Sequence, residues 1–388
     1  MQRKERNLIL TDIHLGVTTF SQNYQKSFME SETKNLLEWV LTISEEYISK
    51  NSCFLNLIFL GDWFHYNNPR FDLIMWSIDY FQKASKIFNK IFFIPGNHDY
   101  RTDGYSTDFL KKISLSNLYY YDMLSDNYVE IIDDTPVLFV PFFDAEKFEI
   151  SYSDFVRKQF ENVGSTTKTP KKGILFGHFY DKYAKVGSET NIITKKTGDV
   201  ALEDFSDLFF AAVSGHVHTH QIYKSKDIEI IYPGSLQSFT AHDIGKEKKL
   251  MLFEIKDNNI DIEWIYSPAT VFIKREFNPV DTFEDLDNTK EYVIYLLFPK
   301  NTDIKELVSI CYNWKQKHPN IKYIHLGYGN GNNSSNYQNT YVSDEDFVNS
   351  IPHFPEILLN NSCSQPDLKS YVEYLIKVCE SQPNLVHS

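Results

Sequence analysis

Six short apolar runs, each followed closely by polar residues or a turn, constrain the fold of this chain more than any other feature. They are Leu8–Leu10, Phe54–Leu60, Ile91–Ile94, Val137–Val140, Ile174–Phe176 and Phe209–Val213. They lack a clean alternation of apolar and polar residues, which is typical of strands covered on both faces. Between the first three runs, apolar residues recur at helical spacing over residues 36–47 and 71–88. This strand–helix–strand alternation predicts a layered α/β core.

The pattern changes after Gly215, where shorter strands follow one another without helices between them. Strands are predicted at Ile228–Tyr232, Leu250–Ile255 and Asp261–Tyr266, and we expect them to add a mostly antiparallel sheet. The predicted fold class is therefore α/β: a two-sheet β-sandwich flanked by helices, in a four-layer α/β/β/α arrangement.

Composition divides the chain into four segments. The predicted boundaries are 1–270 for the first domain, 271–327 for a small α/β cap domain, 328–342 for a Gly/Asn/Ser-rich linker and 343–388 for C-terminal helices. In the cap we predict a strand at Tyr292–Phe298, a helix at Ile304–Lys317 and a strand at Tyr323–Leu326. The helix after Pro366 carries apolar residues on one face. That face is expected to dock, either on the cap or on a partner.

The composition indicates a folded protein and argues against several classes. Of 388 residues 42% are hydrophobic, yet no run approaches the roughly 20 apolar residues of a membrane-spanning helix. The charged N-terminus lacks a secretory pattern, and four scattered cysteines do not form a disulfide framework. A cytoplasmic protein without membrane contact is expected, of bacterial or phage origin. The net charge of −13 argues against a passive nucleic-acid coat, although bound divalent metals can reverse the local field.

Five small polar motifs stand at the carboxyl ends of predicted strands. They are Asp12-Ile-His14, Gly61-Asp62-Trp-Phe-His65, Gly96-Asn97-His98-Asp99, Gly177-His178 and Gly215-His216-Val-His218. Loops converge at this edge of α/β folds, and ligands bind there. Carboxylate, amide oxygen and imidazole are ligands for Mn, Fe or Zn, and no cysteine is offered. Two residues apart on an extended chain, Asp12 and His14 would point the same way, as would His216 and His218.

These donors predict a site for two divalent metal ions. Asp62 is the carboxylate expected to bridge them, at the separation of roughly 3.5–4 Å that is found in two-metal phosphoryl-transfer sites. The donor types alone leave Mn, Fe and Zn open.

The order of the motifs resembles that of the calcineurin-like metallophosphoesterase superfamily, over roughly residues 7–266. The resemblance implies hydrolysis of phosphoesters with two metal ions. It implies one ion bound by Asp12, His14, Asp62 and His218, and a second bound by Asp62, Asn97, His178 and His216.

Three further residues of the motifs are candidate catalytic residues: His98, His65 and Asp99. His98 is expected to stabilise the transition state or to protonate the leaving oxygen, with Asp99 orienting its ring. In DNA-repair nucleases of this superfamily, which this sequence also resembles, the position of His65 helps to place the DNA strand. Alternatively, His65 only supports a neighbouring ligand or the core.

Two sequences resemble one branch of this superfamily, the DNA double-strand-break repair nucleases of the SbcD type, which include phage recombination endonuclease subunits. They are Gly61-Asp62-Trp-Phe-His65 and Tyr232-Pro-Gly-Ser235. The resemblance implies a Mn²⁺-dependent DNA exo/endonuclease that acts on double-strand ends and single strands. It also implies a DNA-binding cap and a C-terminal segment that binds an SMC-like ATPase of the SbcC type. A homodimer formed through the helices at 23–50 and 71–89 is left open.

The residues also allow two other functions. The same scaffold can carry a small-substrate phosphodiesterase or phosphatase, and a DNA-end-binding scaffold with incidental catalysis is a third class. Lysines on loops near the motifs either contact a phosphate backbone or are ordinary solvated residues. These are Lys182, Lys185, Lys195, Lys196, Lys224, Lys226 and the run Lys246–Lys249.

Overall fold

The computed structural model of the chain describes residues 4–17, 25–164, 172–185, 199–239, 243–299, 302 and 304–328. The chain forms two compact units, Met1–Ala269 and Thr270–Ser388, here called unit 1 and unit 2. Among the described residues, no helix combines the length and the apolar character that crossing a membrane requires.

Unit 1 combines long helices with many strands. Its described α-helices are α1 (Gln25–Asn51), α2 (Phe71–Ile87) and α3 (Tyr152–Gly164), and 3-10 helices lie at Asp108–Lys111 and Leu202–Phe205. Its first strands are β1 (Glu5–Leu10), β2 (Phe54–Leu60), β3 (Ile91–Ile94), β4 (Tyr100–Arg101), β5 (Gly104–Tyr105), β6 (Leu118–Tyr120), β7 (Val129–Ile132) and β8 (Thr135–Val140). The strands that follow are β9 (Gly173–His178), β10 (Tyr180–Asp181), β11 (Asp199–Val200), β12 (Phe209–Gly215), β13 (Gln221–Ser225), β14 (Ile228–Tyr232), β15 (Lys249–Lys256) and β16 (Asn259–Tyr266).

Two six-stranded sheets form the centre of unit 1. The first has the order β16-β15-β1-β2-β3-β6, and the second has the order β13-β14-β12-β9-β8-β7. The four strands β1, β2, β3 and β6 are parallel, while β15 and β16 add antiparallel strands beside β1. In the second sheet β14, β12, β9 and β8 are parallel, and β13 and β7 form antiparallel edges.

The strands after Gly215 do not form a sheet of their own. The prediction of an additional, mostly antiparallel sheet was wrong, because β14 joins the second sheet in parallel with β12, while β15 and β16 extend the first. The two-sheet sandwich of the predicted fold class is confirmed.

Side chains alternate between the two faces of β1 and thereby divide the core. Leu8 and Leu10 pack with residues of α1 and α2 on the outer face, whereas Ile9 lies between the two sheets. Across that interface the ring of Phe92 on β3 stacks on Phe139 of β8, with centroids 5.0 Å apart. The helix α3 contacts β7 and β8 of the second sheet. Because both outer faces are covered, the strand ends are where polar groups can gather.

Unit 2 contains a small parallel sheet. Its elements are β17 (Val271–Glu276), β18 (Tyr292–Phe298), α4 (Ile304–Lys317) and β19 (Ile321–Tyr328), with the strand order β17-β18-β19. The helix α4 provides the crossover that a parallel pair requires, and its residues Leu307 and Trp314 are buried against Ile294 and Phe298. The strand β17 was not predicted. The linker after residue 328 and the C-terminal helices lie outside the described residues.

Candidate metal centre

The five polar motifs lie at the carboxyl ends of neighbouring parallel strands. Three of them follow β1, β2 and β3 of the first sheet, and the other two stand at the ends of β9 and β12 of the second. The loops after β1 and β2 continue to pair beyond the strands, since the backbone N–H of Asp12 donates to the Gly61 carbonyl and that of His14 donates to the Asp62 carbonyl. The two sheets therefore present their motifs at one edge of the sandwich.

Four of the predicted ligands have left-handed backbone conformations. The φ angles are +52° at Asp12, +48° at His14, +55° at Asp62 and +83° at His216. Residues with a Cβ seldom adopt this region, which costs on the order of 1–3 kcal/mol each. The expectation that Asp12 and His14 project from an extended chain was wrong, since β1 ends at Leu10 and a turn aims both side chains. Such strain is concentrated where side-chain direction is functional.

The first donor group consists of Asp12, His14 and His218, whose ligand atoms all lie within 4.8 Å of one another. Nε2 of His14 is 3.0 Å from Nε2 of His218, which in turn is 3.9 Å from Oδ1 of Asp12. Asp12 and His14 are buried and His218 is half-buried. The backbone N–H of His216 donates to both carboxylate oxygens of Asp12 and fixes their direction.

The second donor group consists of Asp62, His178 and His216, again within 4.8 Å, and Asn97 completes it. Oδ1 of Asn97 is 2.9 Å from Nε2 of His178 and 2.8 Å from Nδ1 of His216. Oδ2 of Asp62 is 3.3 Å from Nε2 of His178 and 3.7 Å from Nε2 of His14. One oxygen of Asp62 therefore lies between the two groups, where a bridging carboxylate is required.

The chemistry of these donors fits metal ions. Nδ1 of His178 lies 2.6 Å from the carbonyl oxygen of Leu60. Because a carbonyl can only accept, Nδ1 carries a proton, and Nε2, which faces the oxygens of Asn97 and Asp62, is the nitrogen that holds either a second proton or a metal ion. Acceptor atoms that face one another repel unless a proton or a cation lies between them. His14 and His218 present the same situation with two ring nitrogens.

Burial and mutual charge set the pKa values of the donors. Burial lowers the pKa of His14 well below its usual value, and it lowers that of His216 to about 3, with neighbouring histidines adding to the effect. Burial also lowers the pKa of His178, but the charges of Asp62 and Asp12 outweigh it and raise the value to about 9. The pKa of Asp62 is well below its usual range, because His178 and His98 outweigh the effect of burial. His14, His216 and Asp62 are thus in the unprotonated form that binds metals, whereas His178 has to lose a proton to bind one.

Two of the three candidate catalytic residues, His65 and His98, lie beside the first donor group. Rings of His65 and His98 stack with centroids 5.3 Å apart, and Nδ1 of His65 is 3.4 Å from Nδ1 of His14. Nδ1 of His98 donates to the carbonyl oxygen of His65 at 2.7 Å, so the unprotonated nitrogen of the neutral ring is Nε2. Both side chains are half-buried, which leaves them accessible to a substrate.

Asp99 does not orient His98 in this structure, contrary to the expectation. Its buried carboxylate instead accepts hydrogen bonds from the backbone N–H groups of Trp63, Phe64 and Gly96 at 3.0–3.2 Å. The His98 backbone N–H donates to Oδ1 of Asp62 at 2.8 Å. Asp99 therefore joins the turn after β2 to the turn after β3. Burial and the charge of Asp62 raise the pKa of Asp99 to about 6.

Two contributions to the site were missed by the sequence reasoning. The ring of Phe239 packs edge-on against the rings of His14 and His218, with centroids 5.1 and 5.4 Å apart. Lys248, which was grouped with loop lysines, is in fact buried and pairs with Asp243 at 2.6 Å. Both follow the Tyr232-Pro-Gly-Ser235 motif, which was the available signal that this segment borders the site.

A model of one protein family, calcineurin-like phosphoesterase, matches residues 6–220, more than half of the chain and the whole set of motifs. The chain belongs to the calcineurin-like phosphoesterase family. The predicted superfamily is confirmed, and with it a metal-dependent phosphoester hydrolase that uses divalent ions. The match does not distinguish a nuclease branch.

Solved structures give only distant similarities. A protein provisionally assigned as a 5′-nucleotidase of Staphylococcus aureus, in complex with alpha-ketoglutarate, is 16% identical with a TM-score of 0.40, covering 67% of this chain and 53% of that chain. The chain thus spans about half the length of that protein. The phosphopantetheinyl hydrolase PptH of Mycobacterium tuberculosis is 13% identical with a TM-score of 0.36, covering 61% and 91%.

A novel archaeal phosphodiesterase is 12% identical with a TM-score of 0.33, covering 67% of this chain and 99% of that chain. Similarities this low carry no argument about substrate. A search of the curated proteins gave no significant match.

Proposed function

We propose that this phosphoesterase is a Mn²⁺-dependent DNA exo/endonuclease, the nuclease subunit of a recombination or double-strand-break repair complex. The observation that carries the proposal is the stacked pair of His65 and His98 beside the donor groups. This pair places two half-buried imidazole groups next to a two-metal site, and neither belongs to the proposed ligand set. The sequences Gly61-Asp62-Trp-Phe-His65 and Tyr232-Pro-Gly-Ser235 support the choice of DNA as substrate.

In this proposal Asp12, His14, Asp62 and His218 hold one ion, and Asp62, Asn97, His178 and His216 hold the other. The two ions would supply Lewis acidity to the phosphate oxygens and lower the pKa of water. The chain itself supplies the rigidity: strained turns and backbone hydrogen bonds fix the carboxylates of Asp12 and Asp62 before a substrate arrives.

Proton transfer to the leaving oxygen is assigned to His98. Its Nδ1–H is held by the His65 carbonyl, so that Nε2 is the nitrogen that can hold a proton for the leaving group. The ring of His65 stacks on that of His98 and contacts His14 through Nδ1. His65 therefore positions both neighbours, and it is the residue proposed to place the scissile strand.

Two partners belong to this proposal. The C-terminal segment, residues 343–388, is proposed to bind an SMC-like ATPase of the SbcC type. A homodimer is proposed through α1 and α2, and it is supported by two exposed apolar residues one turn apart on α2, Phe71 at 74% and Met75 at 43% exposure. Deleting residues 340–388 and measuring binding of the ATPase tests the first contact, and unchanged association would refute it.

A small-substrate phosphodiesterase is the second candidate, and one observation favours it. Several of the loop lysines considered for contact with a phosphate backbone are paired with carboxylates: Lys182 with Glu203 at 2.7 Å, Lys226 with Asp204 at 3.5 Å and Lys249 with Glu247 at 3.0 Å. Paired lysines, on a chain of net charge −13, offer less attraction to a polyanion. A DNA-end-binding scaffold with incidental catalysis is the third possibility.

One assay separates these candidates. The purified full chain with Mn²⁺ is incubated with linear duplex DNA, single-stranded DNA and bis(p-nitrophenyl) phosphate, each with and without the ATPase. The proposal predicts degradation of DNA, and it predicts that His65→Ala reduces DNA cleavage more than ester cleavage. Ester hydrolysis without DNA degradation, even with the ATPase present, would favour the small-substrate enzyme. DNA binding without either hydrolysis would favour the scaffold.

A further inference from the structure

A buried ion pair lies behind the second histidine of the Gly215-His216-Val-His218 motif. Lys248 is 8% exposed and Asp243 is 3% exposed, and Nζ lies 2.6 Å from Oδ1. Removing an ion pair from water costs several kcal/mol per ion, so that burial is weak support for a role in stability alone. The other contacts of Lys248 and Asp243 explain their position better than a role in stability alone.

The ammonium group of Lys248 makes three hydrogen bonds, one for each of its N–H groups. Besides Asp243, it donates to the backbone carbonyl oxygen of His218 at 3.2 Å and to Oγ of Ser235 at 3.0 Å. The backbone N–H of Ser235 donates to the same His218 carbonyl at 3.1 Å. Two donors from distant parts of the chain therefore fix the backbone of His218.

The carboxylate of Asp243 reaches a second part of the centre. Its Oδ2 accepts a hydrogen bond from the backbone N–H of Phe239 at 3.0 Å. The Phe239 ring is the one that packs edge-on against His14 and His218. One ion pair thus holds both the backbone of His218 and the aromatic wall that restricts two imidazole rings.

We propose that Lys248 and Asp243 are positioning residues of the metal centre, which hold His218 directly, and His14 through Phe239, in the arrangement that binds the first ion. The inference rests on the metal centre of the proposed function and is independent of its DNA substrate. Among the described residues, the metal ligands that Lys248 and Phe239 contact are His218 and His14, both of the first donor group, so that removal of the pair weakens one ion and spares the other. Partners that orient metal ligands typically change affinity by about 10–100-fold.

The test is a titration of the full chain with Mn²⁺ in the absence of substrate. The electron paramagnetic resonance signal of free Mn²⁺ measures how much of the metal is bound. Lys248→Met removes the charge at similar length, and Lys249→Met is the matched control, because the adjacent lysine pairs with Glu247. We expect two bound ions in the wild type, one of them weakened about 10–100-fold in Lys248→Met, and both unchanged in the control. Two affinities within about threefold of the wild type, or two affinities reduced equally, would overturn the inference. A wild type without bound ions would instead overturn the metal centre itself.

Two further variants separate positioning from folding. Lys248→Arg keeps the charge and is expected to restore part of the lost affinity. Ser235→Ala removes one acceptor of Lys248 and neither charge, and it is expected to weaken the same ion by a smaller factor, even if Lys248→Met does not fold. No change in the Ser235→Ala affinity, together with no rescue by arginine, would contradict a positioning role.

Discussion

At Gly96 the turn after β3 approaches the turn after β2 so closely that the substitution Gly96→Ala should disturb the metal centre. A Cβ at residue 96 would lie 2.2 Å from Oδ1 of Asp62 and 2.4 Å from the Asp62 backbone nitrogen. Rotation of the Asp62 side chain cannot relieve the second contact, so the turns after β2 and β3 have to separate. Reaching an ordinary separation of about 3.4 Å from that nitrogen requires a shift of about 1.0 Å.

Three hydrogen bonds between the turns oppose that separation, two from the Trp63 and Phe64 backbones to the Asp99 carboxylate and one from the His98 backbone to Asp62. Since Asp62 lies between both donor groups, a shift of this size disturbs both ions. A misplacement of about 1 Å costs about 100-fold in rate, and the overpacking costs about 1–3 kcal/mol in stability.

The assay is the rate of bis(p-nitrophenyl) phosphate hydrolysis with Mn²⁺, together with Mn²⁺ affinity. Gly96→Ala should lower kcat/KM about 100-fold and weaken both ions. Gly245→Ala is the control, because its added Cβ meets no atom within 4 Å, although its φ of +71° adds some strain. A Gly96→Ala protein with wild-type affinity and rate would refute the reasoning that the turn spacing sets the position of Asp62.

Three other outcomes follow from the same structure. His98→Ala should lower kcat by about 100- to 10,000-fold, the usual contribution of a general acid, with unchanged Mn²⁺ affinity; full Mn²⁺-dependent activity would contradict its assignment. Removal of metal with EDTA should abolish hydrolysis, and added Mn²⁺ should restore it. Mn²⁺ at a hundred times its Kd should also raise the free energy of unfolding by about 2.7 kcal/mol. Activity that survives EDTA would count against the metal centre. Phe139→Ala should lower the free energy of unfolding by about 3–5 kcal/mol in urea titrations, because this ring is fully buried and stacks on Phe92, Tyr121 and Phe176. The control is Phe54→Ala, which should change the free energy of unfolding by under about 1 kcal/mol, because the Phe54 side chain is 42% exposed. An equal loss in the two variants would contradict the core assignment.

The sequence predicted the features that depend on local pattern. The apolar runs at β2, β3 and β14 and the helical spacing along α2 come from periodicity, and they locate the polar motifs at strand ends. The helix α3 was overlooked although its buried residues Tyr152, Phe155, Val156 and Phe160 have helical spacing.

The features that depend on long-range pairing were not predictable in this way. The pairing of β14 with β12 and the pairing of β15 with β1 both depend on contacts between residues that are distant in the sequence. The burial of Lys248 depends on Ser235, Asp243 and the His218 carbonyl meeting only in the folded chain. The separation of His216 and His218 into different donor groups requires the turn at His216, whose φ of +83° no spacing rule indicates.

The central claim is that one oxygen of Asp62 joins two donor groups into a single dinuclear centre. Electron paramagnetic resonance of the Mn²⁺-loaded chain tests it directly, because ions about 3.5–4 Å apart couple magnetically. If Asp62 bridges the two donor groups, each chain should bind two Mn²⁺ ions that give a coupled spectrum, and Asp62→Asn should lose the coupling. A spectrum of isolated Mn²⁺ in the wild type, or coupling that survives Asp62→Asn unchanged, would contradict it.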